Sequence, residues 1–144
     1  MSLLNPVDKS FCLEQLCAAN YQRLFSLIPE LTSINKAAIG IAQQPVQLYL
    51  KIIERTQHTL TIQLSHCFNE NLNLLFVPDV IIRVYLDAQL AEVLRDYARD
   101  TVNRSINDLS LSKDIMNYKW RLNYFLQKWL EHCLKQHYLF TISQ

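Results

Sequence analysis

The sequence predicts an α+β fold in which an antiparallel sheet is packed by long N- and C-terminal amphipathic helices. Apolar residues recur at helical spacing near both ends of the chain. Between these two regions, from Val46 to about Asp87, apolar residues alternate with polar ones in the manner of strands. The 144 residues are enough to bury one core, so we expect a single globular domain over residues 1–144.

The first helix is predicted to begin at Asn5 and Pro6, because an Asn cap followed by Pro is a favoured helix start. It is predicted to end at Pro29. The C-terminal helix is predicted from Asp114 to about His137, with Trp129 on its apolar stripe. A helix of this length crosses a domain of this size, so we expect it to supply much of the core.

Three strands are predicted between the helices, after a connection that Gly40 and Pro45 punctuate. Residues 46–53 and 60–64 are expected to form a hairpin around the polar turn "ERTQHT". The next segment, "CFNENLNLLFVPD" (67–79), is interpreted as a loop or an edge segment. The third strand, "VIIRVYLD", begins with three branched apolar residues, which favours a central position in the sheet.

The stretch after Asp87 permits two interpretations. In the first, Asp87 is the N-cap of a helix, since apolar residues from position 90 onward fall at helical spacing. In the second, residues 88–93 form another strand after a tight turn. Periodicity favours the helix, so a third helix or extra strands are expected from 87 to 104.

Five residues are candidates for a ligand-binding site: Arg83, Tyr85 and Asp87 on the polar face of the third strand, Glu54 near the end of another strand, and Glu92. In the functional interpretation Arg83 binds an anionic group bidentately, and Asp87 or Glu54 orients the ligand. In the structural interpretation Arg83 pairs with Asp87 or Glu54 under the helices. Ion-pair networks are commoner than binding sites, which favours the structural interpretation.

Composition and charge exclude several classes of protein. The net charge of +1 provides no field that would attract nucleic acid, so we expect no nucleic-acid partner. The chain has no stretch apolar enough to span a membrane and no recognisable signal peptide. The four cysteines are scattered among apolar neighbours, as reduced thiols are. Together these features predict a cytoplasmic location and no membrane partner.

The common signatures of catalysis and of metal binding are also missing from the sequence. A single glycine excludes phosphate-binding loops, which require several. His66 and Cys67 are neighbours on a strand and point to opposite faces, so we interpret them as a surface imidazole beside a buried thiol. Cys133 and His137 are four apart, but Cys133 belongs to the apolar stripe. We therefore expect no metal and no cofactor.

Two functions from different classes remain open. The first is a non-enzymatic cytosolic binding or protein-interaction module, whose partner is an unknown protein or a small anionic ligand. The second is a small hydrolase or transferase that uses Glu54, Asp87 and Glu92 near strand ends, with a divalent cation. A deep pocket shared by these carboxylates would favour the enzyme, and an open sheet face would favour the module.

Four segments of the chain together suggest a family: "LCAANYQRLFSLIP" (16–29), "IERTQHT" (53–59), "RVYLDAQLAEV" (83–93) and "NYFLQKWLEHCL" (123–134). In these segments the chain resembles the YqiB-like family of short proteobacterial proteins, which carry a domain of unknown function. The resemblance implies kinship but no activity, since no segment is a catalytic signature and the family has no established activity. Residues 95–117 depart from the family pattern, which has an aromatic, strand-like run there. The resemblance implies that related chains can keep this region in the sheet, as an alternative to the helical interpretation of residues 87–99.

Overall fold

The computed structural model describes residues 6–43, 46–70, 73–96 and 112–143. Two long helices and six strands make up most of this part of the chain. In chain order they are α1 (Pro6–Leu27), a 3-10 turn (Leu31–Ser33), β1 (Ala37–Ile41), β2 (Gln47–Arg55), β3 (Thr59–Glu70), β4 (Asn73–Tyr85), β5 (Leu90–Asp96), α2 (Ser112–Lys135) and β6 (Leu139–Ser143).

The strands form one antiparallel sheet in the order β5-β4-β3-β2-β1-β6. One face of this sheet and both helices contribute side chains to a single core. The predicted α+β class and the antiparallel sheet are confirmed. Long helices lie near the two predicted positions, but α2 is followed by β6 rather than ending the fold. Among the described residues, neither helix is long and apolar enough to cross a membrane.

The loop interpretation of residues 67–79 is wrong for the residues described there, 67–70 and 73–79, which are strand residues of the long β3–β4 hairpin. Backbone pairing continues from Cys67 opposite Phe76 to Glu70 opposite Asn73. No other described strand pairs with 68–70 or 73–79, so the edge-segment alternative holds for them. The pairing is irregular between Ser65 and Cys67, at the level of Pro78. Because proline lacks an N–H group, strands accommodate it at such irregularities. The bulge shifts the alternation of apolar residues by one position, so the sequence pattern did not indicate a strand.

The helical interpretation of the stretch after Asp87 is also wrong. Residues 86–89 form a turn, in which Gln89 has a φ of 57°, and β5 then returns antiparallel to β4. Ala91 and Val93 are buried in the core, so tertiary packing overrides the helical spacing of a short stretch. The alternative interpretation, another strand after a tight turn, is confirmed by β5. Residues 97–104 lie outside the described part of the chain.

A buried asparagine connects both helices to strand β5. The Asn20 side chain donates to the backbone oxygen of Asn123 at 2.9 Å. The Oδ1 atom of Asn123 accepts a hydrogen bond from the backbone N–H of Val93, also at 2.9 Å. Neither asparagine side chain is accessible to solvent. This link fixes the position of α2 beside the β5 edge of the sheet.

Candidate functional site

Three of the five predicted site residues lie in one row across the sheet, which we call the polar row. Glu54 on β2 is opposite Thr61 on β3, Thr61 is opposite Arg83 on β4, and Arg83 is opposite Glu92 on β5. Residues opposite one another in an antiparallel sheet point to the same face. Ile82, next to Arg83, is buried in the core. The polar row therefore lies on the sheet face directed away from that core.

Glu92, the acidic residue opposite Arg83, interacts with Tyr85 and Lys119 instead. Glu92 accepts a hydrogen bond of 3.4 Å from the Tyr85 hydroxyl. Its other carboxylate oxygen lies 3.5 Å from Nζ of Lys119 on α2. Arg83 is half-buried, and no carboxylate among the described residues forms a salt bridge with it. The guanidinium group thus has no acidic partner in the described part of the chain.

Thr61 completes the centre of the polar row. Its side chain is 6% exposed, although it lies on the face directed away from the core. Arg83 and Thr61 are neighbours across two strands, so a hydroxyl group and a guanidinium group are presented side by side. Both groups donate hydrogen bonds to anions. Arg83 and Thr61 are therefore the hydrogen-bond donors at the centre of the polar row.

Asp87 lies in the turn that follows β4, outside the polar row. Its carboxylate lies 2.7 Å from Nδ1 of His58, which belongs to the turn between β2 and β3. The two turns also share a backbone hydrogen bond from Leu86 N–H to the His58 oxygen, 2.9 Å long. Asp87 thus pairs with His58, and not with Arg83 as the structural interpretation expected. It connects two turns at the end of the sheet.

The three carboxylates named for the enzyme alternative are dispersed. Glu54 and Glu92 occupy strands that are three positions apart in the sheet, which separates their backbones by about 14 Å. Asp87 is engaged with His58. Within the described ranges, no three His, Cys, Asp or Glu side chains come together as a candidate metal site.

Sequence reasoning missed a buried cluster of four side chains, which we call the His66 cluster: His66, Trp129, Cys133 and Tyr138. His66 is 6% exposed, and Cys67 is the more accessible of the two neighbours, so the expected burial is reversed. Trp129 donates its indole N–H to Nδ1 of His66 at 3.1 Å. Cys133 Sγ and the Tyr138 hydroxyl lie 3.6 and 3.4 Å from Nε2.

A signal for the position of His66 was present in the sequence. Leu60, Ile62 and Leu64 alternate on β3 and are fully buried, and His66 is the next residue in the same alternation. On α2, Trp129 and Cys133 are four apart, which places them on one helix face. Each of the two patterns indicates a core position. Their contact joins residues 63 and 67 apart in sequence, which no local pattern predicts.

The ionisable groups of the His66 cluster are held uncharged. Burial, with a smaller contribution from the nearby His132, lowers the pKa of His66 from 6.5 to about 4. Burial raises the pKa of the Cys133 thiol to about 12. It also raises the pKa of Tyr138 to about 12. A thiol with such a pKa is not a nucleophile near pH 7, so the cluster joins β3, α2 and the start of β6 as packing.

A cleft of about 320 Å³ opens between the end of α1 and the start of β6. Its lining includes Ile28, Pro29 and Ile34 on one side and Tyr138 and Phe140 on the other. None of the predicted site residues contributes to it. The polar row therefore remains the candidate site that the sequence identified, and the cleft is a separate feature of the fold.

Comparison with known proteins identifies the family. A family model described as "Protein of unknown function (DUF1249)" matches residues 23–139. The match begins within α1 and includes the polar row and the His66 cluster. No curated protein and no solved structure matches the chain. The chain belongs to the DUF1249 family of proteins of unknown function.

Proposed function

We propose that this protein is a non-enzymatic binding module, and that its polar row binds an anionic group of a small ligand or of a partner protein. The observation that carries the proposal is Arg83, a partly buried residue whose guanidinium has no acidic partner among the described residues. Removing a charge from water without a counter-charge costs free energy. An anionic ligand group would offset that cost.

The neighbours of Arg83 support this assignment. Glu92 is positioned by Tyr85 and Lys119, so it sits beside the guanidinium without forming a salt bridge to it. A guanidinium group offers parallel N–H donors that match a carboxylate or a phosphate. Thr61 supplies a hydroxyl group on the adjacent strand. Arg83 and Thr61 thus combine a cation with a neutral hydrogen-bonding group, which suits recognition of an anion.

The dispersed carboxylates support a binding module over the hydrolase or transferase. General acid and base groups act on one substrate, so they must lie within hydrogen-bond reach of the same reacting atoms. Glu54 and Glu92 are about 14 Å apart at the backbone, with Thr61 and Arg83 between them. This spacing suits recognition of an extended ligand better than joint action at one bond.

The proposal is tested by NMR titration of the ¹⁵N-labelled full chain with two probes, sodium phosphate and sodium malonate, at constant ionic strength. We expect saturable shifts centred on the amides of Thr61, Arg83 and Glu92. Arg83→Met should abolish them. Lys51→Met is the matched control, because Lys51 lies on the same sheet face in the neighbouring row and should leave the shifts intact. Equal shifts in Arg83→Met and the parent would contradict the proposal.

We further propose that residues 1–144 form one domain, that the protein is cytoplasmic, and that it belongs to a YqiB-like branch of proteobacterial proteins. The core shared by both helices and the sheet supports one domain. All four cysteines are free thiols, and Cys17 and Cys133 are buried, which suits a reducing compartment. Fractionation of cells that express the full chain tests the location, and protein in the soluble cytosolic fraction is the expected result.

A further inference from the structure

The two edges of the sheet are protected differently. At the β5 edge, the Asn123 side chain binds the N–H group of Val93. The Glu92–Lys119 ion pair connects the same strand to α2. The sequence of β5, "LAEVLRD", contains three charged residues. Charges and a covering helix are common means by which proteins prevent an edge strand from pairing with another chain.

The β6 edge has none of these protections within the described part of the chain. Its sequence, "LFTIS", contains no charge and no proline. Leu139 is 78% exposed, and its neighbour across the strands, Ile41, is 50% exposed. No described strand pairs with the outer side of β6. An uncharged edge beside exposed aliphatic side chains is a surface for strand pairing.

The β6 edge is also regular. All five of its residues pair with β1 in an uninterrupted register, from Leu139 opposite Ile41 to Ser143 opposite Ala37. Gly40 permits this close packing, because a Cβ atom there would lie 2.8 Å from the ring of Phe140. A straight antiparallel strand presents alternate N–H and C=O groups on its outer side. β6 therefore offers a complete set of backbone hydrogen-bonding groups.

We propose that β6 pairs with β6 of a second copy of this chain, antiparallel, on a twofold axis through Thr141. Thr141 is the middle residue of β6. An axis at Thr141 therefore pairs all five residues of both copies, and an axis at any other residue pairs fewer. Leu139 then lies opposite Ser143 of the second copy, and Thr141 lies opposite itself. A twofold interface requires a surface that is complementary to itself.

Charge supports a second copy as the occupant. The edge is neutral along its whole length, so pairing it with itself brings no like charges together. The whole chain has a net charge of only +1, so two copies repel each other weakly. A neutral edge also offers no charge by which it would select a foreign strand. The two copies would form one continuous antiparallel sheet.

Cysteine cross-linking tests the register directly. In Thr141→Cys, two cysteines would face each other at about 5 Å between Cα atoms, within the range of a disulfide. Leu139→Cys is the matched control on the same strand face. Its two cysteines would lie four residues apart along the strand, about 14 Å, which is too far for a disulfide. The unmodified chain shows the background from its four native cysteines.

Under mild oxidation of the full chain, Thr141→Cys should form a disulfide-linked dimer and Leu139→Cys should not. Random collisions would link both variants, because Leu139 and Thr141 are both exposed. Cross-linking of Leu139→Cys that equals or exceeds that of Thr141→Cys would therefore overturn the proposal.

Sedimentation equilibrium tests the association without a covalent bond. The unmodified chain should dimerise, and Thr141→Lys should raise the dissociation constant about tenfold or more, because two ammonium groups would meet on the axis. Ile53→Lys, an exposed aliphatic position on β2, should leave the constant unchanged. A chain that stays monomeric at all concentrations would overturn the proposal. This holds even if that monomer binds a foreign peptide at β6. A dimer that Thr141→Lys leaves intact would also overturn it.

Discussion

Acidification should destabilise the protein through His66. The folded chain holds this imidazole 6% exposed, where it accepts a hydrogen bond from Trp129. Burial lowers the pKa of His66 to about 4, whereas the unfolded chain retains the ordinary value of 6.5. Between these two pH values the unfolded state binds a proton that the folded state does not. The contribution of His66 is therefore complete above pH 6.5 and is lost as the pH falls toward 4.

The size of the effect follows from the two pKa values. A difference of one pKa unit corresponds to about 1.4 kcal/mol. The interval from 6.5 to about 4 therefore corresponds to about 3 kcal/mol of the free energy of unfolding. Small domains have total stabilities of about 5 to 15 kcal/mol, so protonation of this single residue should remove a substantial part of the stability at low pH.

Urea unfolding, followed by tryptophan fluorescence, measures this contribution at a series of pH values from 7.5 to about 4. His66→Phe keeps an aromatic ring in the core but cannot titrate. The variant should be less stable at pH 7.5, because the Trp129 N–H group loses its acceptor, and it should lose less stability on acidification than the parent. Carboxylates titrate in both proteins, so the difference between them isolates His66.

His137→Asn is the control, because His137 is exposed and has a φ of 56°, a conformation that asparagine tolerates. It should retain the pH dependence of the parent. Equal losses of stability by His66→Phe and the parent between pH 7.5 and 4 would refute the role of His66 in the pH dependence.

Four other substitutions test the fold and the site. Asn123→Ala should lower the free energy of unfolding by about 1 to 3 kcal/mol, since it leaves the buried N–H group of Val93 without its acceptor; an unchanged urea midpoint would contradict the role of this residue. Gly40→Ala should lower the free energy of unfolding by about 1 to 3 kcal/mol, and should lower it much less in a chain that already carries Phe140→Ala. Additive effects of the two substitutions in a double-mutant cycle would contradict the close packing. Trp129→Ala should lower the free energy of unfolding by about 3 to 5 kcal/mol, because Trp129 is buried in the core. A chain truncated at residue 112 should not fold, and sharp, dispersed amide resonances from it would contradict a core built on α2. Arg83→Met should leave the melting temperature unchanged or raise it, and a clear decrease would identify Arg83 as a structural residue.

Long periodic segments were predicted well from the sequence. The helical stripes place α1 and α2 close to their positions in the structure, because packing onto one core imposes the same spacing over many turns. Short elements were not predicted. β1 and β6 contain five residues each, too few for alternation to be distinguished from chance. The bulge near Pro78 and the turn at Gln89 interrupt the pattern of longer strands.

The candidate site was predicted only in part, for a related reason. Alternation along the third strand correctly placed Arg83 and Tyr85 on its polar face. The order of strands and their register then decide which residues are neighbours across the sheet, and these depend on contacts distant in sequence. Register brings Glu54, Arg83 and Glu92 into one row. A turn places Asp87 beside His58 instead.

Thermal unfolding tests most directly whether the polar row binds an anion through Arg83. A ligand that binds only the folded state raises the melting temperature as its concentration rises. The melting temperature should be measured with increasing sodium phosphate, with sodium chloride adjusted to keep the ionic strength constant. It should rise for the parent and for Lys51→Met, and should stay constant for Arg83→Met. An equal rise in all three proteins, or in none, would contradict the claim.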